Sequence, residues 1–91
     1  MNKGLAHAMT THDELSDMLR KNMAEVLEID PSEIKDDSDF ADLDADSIDL
    51  IEVISHVERT YQIKIEEQRF YDLERFGQLV DLIEEEIARQ A

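Results

Sequence analysis

Ninety-one residues, 42% of them apolar and none of them cysteine, make one small domain with no disulfide and no thiolate metal or redox site. Nine basic residues against 24 acidic ones give a net charge of −15. That charge excludes nucleic acid and anionic membrane surfaces as partners, and it favours proteins with basic patches, drawn in by a field that salt weakens.

A domain of this size buries roughly 60–65% of its unfolded surface, so its core is thin. High acidity can signal disorder. Here the apolar residues fall in helical registers, with two glycines, one proline and no hairpin signal, so the expected class is all-α. No apolar run approaches the ~20 residues of a membrane span, and the N-terminus lacks the apolar core of a signal peptide. The expected location is cytoplasmic.

Residues 1–10 form a polar lead without periodicity, expected to be frayed. Residues 11–88 carry the helical domain, and 89–91 form a short tail. His7 and His12 lie five apart, off the helical i, i+4 spacing, and read as incidental rather than as ligands. The first helix is expected from His12 to Leu27. Thr11 with Glu14 makes a capping box. Leu15, Met18, Leu19, Met23, Val26 and Leu27 form one apolar stripe. Asp30-Pro31 stops the helix, because proline disfavours helix in the residue before it.

Residues 31–46 make a long connection. A short turn is expected at 32–34, and Ile34, Phe40 and Leu43 would pin the loop to the helices. From Asp36 to Glu52 there are eight acids and no base. This is a solvated acidic loop in the plain reading and an electrostatic landing surface in the sharper one. Asp42, Asp44 and Asp46 alternate like the start of an EF-hand loop. Counting from Asp42, the sixth position is Ser47 rather than Gly and the twelfth is Val53 rather than Glu. No specific metal site is expected, only weak divalent binding that relieves repulsion.

The second helix should run from Ser47 to about Thr60. Ser47 is the last loop residue or the first helical one, and its plain role is that of an N-cap. Leu50, Val53, Ile54, Val57 and Tyr61 face inward. Ile48, Ile51 and Ser55 lie on a flank beside Asp49, Glu52 and Glu58. Isolated exposed isoleucines are ordinary, but an apolar pair among carboxylates reads as a docking face. His56 and Arg59 are expected at the surface. Residues 61–65 break the pattern, with Ile63 and Ile65 tucked inward. A short third helix is expected within 66–72, with Phe70 and Tyr71 touching the core. The fourth should span about Arg75 to Ala88, capped by Asp72 or Glu74, with Phe76, Leu79, Val80, Leu82, Ile83 and Ile87 inward. Gly77 costs it about 1 kcal/mol relative to Ala. Glu84-Glu85-Glu86 reads as a solvated face. The architecture is a small four-helix bundle, three longer helices and one short, with a long loop between the first two.

The segment Phe40-Ala41-Asp42-Leu43-Asp44-Ala45-Asp46-Ser47-Ile48-Asp49, followed by Leu50-Ile51-Glu52, resembles the phosphopantetheine attachment site of acyl carrier proteins. Their usual motif is a Leu-Gly-x-Asp-Ser-Leu-Asp run opening the second helix. The resemblance extends from about Thr11 to Ala88 in helix order, loop lengths and apolar positions. It implies that Ser47 receives 4′-phosphopantetheine from coenzyme A, delivered by a separate magnesium-dependent phosphopantetheinyl transferase. The arm's thiol would carry acyl intermediates as thioesters for fatty-acid, lipid or polyketide-type biosynthesis. Asp46 would support the site. Ile48, Asp49, Ile51, Glu52, Ser55 and Glu58 would form the face read by the transferase and by acyl-synthesising or acyl-transferring enzymes. The chain would be a monomer and would catalyse nothing itself.

Three positions depart from the pattern. Asp44 stands where the family usually has Gly, Ser55 replaces a position often apolar, and Arg59 puts a cation on an acidic helix. These departures fit a specialised carrier. If the backbone at Asp44 needs positive φ, Asp tolerates it less well than Gly but better than most residues. Two alternatives compete: an unmodified acidic helical interaction module in which Ser47 is only a cap, and a peptidyl or aminoacyl carrier. A hydrolase is poorly supported, since His56 lies over two turns from Ser47 and no strand-turn-helix elbow surrounds the serine.

Overall fold

The computed structural model describes residues 12–90. The lead, including His7 and the expected Thr11 cap, lies outside the described residues, as does Ala91. Four α-helices follow one another: α1 (His12–Leu27), α2 (Ser47–Tyr61), the short α3 (Glu67–Phe70) and α4 (Phe76–Gln90), with a 3₁₀ turn at Pro31–Glu33 between α1 and α2. The all-α, four-helix expectation holds. None of the described helices is long and apolar enough to cross a membrane.

The apolar stripes become one core. Leu15, Leu19 and Met23 of α1 pack with Val53, Ile54 and Val57 of α2 and with Phe76, Leu79, Val80 and Ile83 of α4. Leu50 and Leu82 are also buried, while Met18, Val26, Leu27, Tyr61 and Ile87 pack against the core from its edge. Ile63 and Ile65 turn inward as expected, and so does Phe70. Tyr71 does not. It is 57% exposed, touching Phe70 edge to face with ring centroids 5.6 Å apart. Its hydroxyl lies 3.2 Å from Glu67, and that carboxylate, by its charge and then its hydrogen bond, holds the phenol pKa above its usual value.

The ends of the helices are set by local geometry more than by proline. Helix α1 closes at Leu27, before Pro31. Glu28 adopts a left-handed conformation, φ 60°, and Ile29 N–H reaches back to the Ala24 carbonyl at 3.0 Å. This is the double-bonded C-terminal closure that satisfies orphan carbonyls. Pro31 then starts the 3₁₀ turn, where its missing N–H costs nothing. Asp30 caps that turn by accepting from Ser32 N–H at 2.8 Å, which holds its carboxyl below the usual range. Helix α2 closes in the same way as α1, with Gln62 at φ 56° and Ile63 N–H on the Glu58 carbonyl.

The start of α4 corrects the expected cap. Neither Asp72 nor Glu74 supplies it. The Gln78 side chain folds back and accepts from Glu74 and Arg75 N–H, at 2.8 and 2.9 Å. The long loop supplies the rest: Phe76 N–H donates to the Ser38 carbonyl and Gly77 N–H to the Asp36 carbonyl. A Cβ on Gly77 would sit 2.8 Å from that Asp36 oxygen. Glycine is therefore required here by close backbone approach.

Glu86 is a further correction. It is not part of a solvated face but 4% exposed. Arg69 of α3 reaches it at 2.7 Å, Arg89 at 3.0 Å and the Gln90 amide at 2.7 Å. A buried carboxylate persists when its lone pairs are taken up in this way. Helix α4 accordingly continues past the expected end at Ala88, through Arg89 and Gln90.

Candidate functional site

The loop entering α2 is not an open coil. Phe40 is buried, and its N–H donates to the Glu74 carbonyl at 2.9 Å. Its own carbonyl accepts from Leu43 N–H at 3.1 Å and from Ala45 N–H at 2.9 Å. Residues 40–45 therefore form a single turn closed like a helix C-terminus. Such a closure needs a left-handed residue one place before its end. That residue is Asp44, with φ 58°. Leu43 and Ala45 pack against the core. The turn fixes where the chain enters α2.

Ser47 is the first residue of α2, and it is not the cap. Asp46 is the N-cap, and its Oδ1 accepts from Asp49 N–H at 3.0 Å. Asp49 answers by accepting from Asp46 N–H at 3.2 Å, which completes a capping box. The capping role open to Ser47 in the sequence is thus already filled. The serine is exposed and its hydroxyl makes no hydrogen bond with the described residues. A hydroxyl at a helix N-terminus, free of protein partners, is open to a macromolecule that modifies it. A phosphodiester placed there meets the positive end of the helix dipole, although Asp46 and Asp49 oppose it.

The flank residues divide. Ile48 is 67% exposed and Glu52 is exposed. Ile51 is half-buried against the core, and Ser55 is half-buried. Residues 48, 51, 52 and 55 fall on one stripe of the helix. Glu58 is committed elsewhere, since its Oε2 accepts from Ile65 N–H at 2.8 Å. Asp49 is likewise engaged in the cap. Arg59 is exposed as expected, but His56 is half-buried. Beside this face a cleft of about 330 Å³ opens between α2 and α3, lined by Ile51, Ile54, Ser55, Ile65 and Phe70 together with the charged Glu58, Lys64, Glu66 and Glu67.

The sequence did not disclose what holds the loop to the bundle. Arg20 of α1 donates from Nε to the Ile34 carbonyl at 2.8 Å, and from its other nitrogens to Asp17, Ser16 and Asp36. Its guanidinium lies 5.3 Å from the Phe76 ring centroid, in cation–π range. One side chain therefore ties α1, the loop and α4 together. Its only signal in the sequence was a basic residue, followed by Lys21, on the edge of an apolar stripe.

Comparison with known proteins agrees with this geometry. The family model described as "Phosphopantetheine attachment site" matches residues 17–83. The acyl carrier protein of Streptococcus pneumoniae serotype 4 is 45% identical over 64 residues, 70% of this chain and 84% of that protein. The acyl carrier protein of Guillardia theta is 30% identical over 76 residues, 82% of this chain and 94% of that protein. Among solved structures, the HMG-ACPI domain from the CurA module of Lyngbya majuscula has the same fold, with a TM-score of 0.74 at 24% identity, covering 100% of this chain and 91% of that one.

Proposed function

The chain belongs to the acyl carrier protein family, whose members are non-catalytic carriers with a covalent 4′-phosphopantetheine, and from that premise we propose that Ser47 is the attachment point. The observation that carries this reading is the division of labour at the start of α2: Asp46 caps the helix and leaves the Ser47 hydroxyl exposed and unbonded. The chain has no thiol of its own. When bound, the group supplies the thiol on which acyl cargo is held as a thioester. The residues present fit it. Ser47 Oγ is accessible for phosphoester formation with the pantetheine-bearing phosphate of coenzyme A, the nucleotide leaving and the serine proton passing to the transferase. Asp46 and Asp49 keep the helix start rigid while this happens.

The pathway this carrier would serve is fatty-acid, lipid or polyketide-type synthesis. The stripe of Ile48, Ile51, Glu52 and Ser55 would be the surface that the transferase and the acyl-handling enzymes read. Glu58 and Asp49 contribute charge to it while their hydrogen bonds hold the fold. The cleft between α2 and α3 is where an acyl chain would shelter from water. The test is intact mass after incubation with coenzyme A, magnesium and a promiscuous phosphopantetheinyl transferase. A single phosphopantetheinyl gain, lost in Ser47→Ala, is expected. No gain, or a gain that survives Ser47→Ala, would sink the assignment and leave the unmodified interaction module as the better reading.

A further inference from the structure

Away from α2, the first turn of α1 and the middle of α4 bring His12, Asp81 and Glu84 together. One ligand atom from each of the three lies within 4.8 Å of the other two. His12 Nδ1 is 3.0 Å from Glu84 Oε1, although the two residues stand 72 positions apart. Asp81 and Glu84 are three apart on one helix, so they project from the same face. His12, read from the sequence as incidental, is paired here with Glu84 of a distant helix.

An ordinary surface ion pair accounts for His12 and Glu84 but not for Asp81. A protonated imidazole brings one positive charge against two carboxylates, on a chain that already carries −15. We propose that His12, Asp81 and Glu84 form a surface site for a zinc-class divalent cation that bridges α1 and α4. A divalent ion cancels both carboxylates while the neutral imidazole ligates through its lone pair. One nitrogen and two carboxylate oxygens are a zinc donor set, with water completing the tetrahedron. Magnesium and calcium demand six or more oxygen ligands and gain little from an imidazole. The His12 and Glu84 side chains are 47% and 48% exposed, so both have room to adjust and the ion enters directly from solvent. None of the three residues lies on the α2 face, so this site stands or falls separately from the role of Ser47.

The experiment uses the full chain, free of any affinity tag and stripped with a chelator, titrated with zinc in excess magnesium. One-to-one binding is expected by calorimetry, with the His12 ring resonances moving in step. At zinc about five-fold above Kd, Tm should rise by roughly 4–8 °C. His12→Gln and Glu84→Gln should each abolish the rise. Both positions are exposed, so circular dichroism of the variants should match the parent. The proposal is overturned if zinc adds nothing beyond magnesium, or if either variant keeps the full rise.

Discussion

At the scale of single residues, Asp44 is the position where sequence and backbone can be set against each other most directly. Its φ of 58° belongs to the closed turn at 40–45, and glycine would occupy that region without strain. Aspartate tolerates it because its short polar side chain suits left-handed backbone better than most. A β-branched residue does not. Asp44→Val should therefore destabilise the fold by about 1–2 kcal/mol, while Asp44→Gly should match or exceed the parent. Urea midpoints at unchanged slope would measure this. Equal midpoints for all three would mean that the turn contributes nothing to stability. The same turn shows what was legible in the chain. The Asp46-Ser47-Ile48 signal and the anomaly at Asp44 are local, and the sequence carries both. Which of Asp46 and Ser47 does the capping was not legible, because either residue type serves as an N-cap.

Among the elements, the three long helices were readable because their apolar periodicity is strong, and their starts and ends fell within a few residues of expectation. What joins them was not readable. Gln78 caps α4 from inside the helix, the Asp36 and Ser38 carbonyls reach it from a distant loop, and Arg20 clasps that loop. Glu86, the last of three consecutive glutamates, is buried where Arg69 arrives from another helix to join Arg89 and Gln90. These are tertiary facts with no local pattern. Gly77 exposes the difference as a sign. Helix propensity alone says that Gly77→Ala stabilises α4 by about 1 kcal/mol. The structure says the opposite, because the new methyl would meet the Asp36 carbonyl and break the hydrogen bond it accepts from Gly77. We expect Gly77→Ala to lower stability by about 0.5–3 kcal/mol. A thermal melt that moves upward would show that the loop does not approach α4 as closely as described.

For the molecule as a whole, the net charge of −15 acts in two directions at once. Arg20, Arg69, Arg75 and Arg89 are each paired with carboxylates on α1, the loop or α4. Among the described residues no ion pair engages Asp46, Asp49 or Glu52, so the start of α2 keeps uncompensated negative charge. Self-repulsion weakens the compact state, while the same field steers basic partners toward α2. Salt screens both, with a Debye length of about 10 Å at 0.1 M. Raising ionic strength should therefore increase Tm and, over the same range, slow transferase-driven modification of Ser47. Glu52→Gln separates the two effects. Removing one exposed carboxylate from the docking stripe should flatten the salt dependence of the modification rate and leave the salt dependence of Tm almost unchanged. A rate indifferent to salt would remove the acidic face of α2 from the account of partner recognition. A Tm indifferent to salt would show that packing, not charge, sets the stability of this thin core.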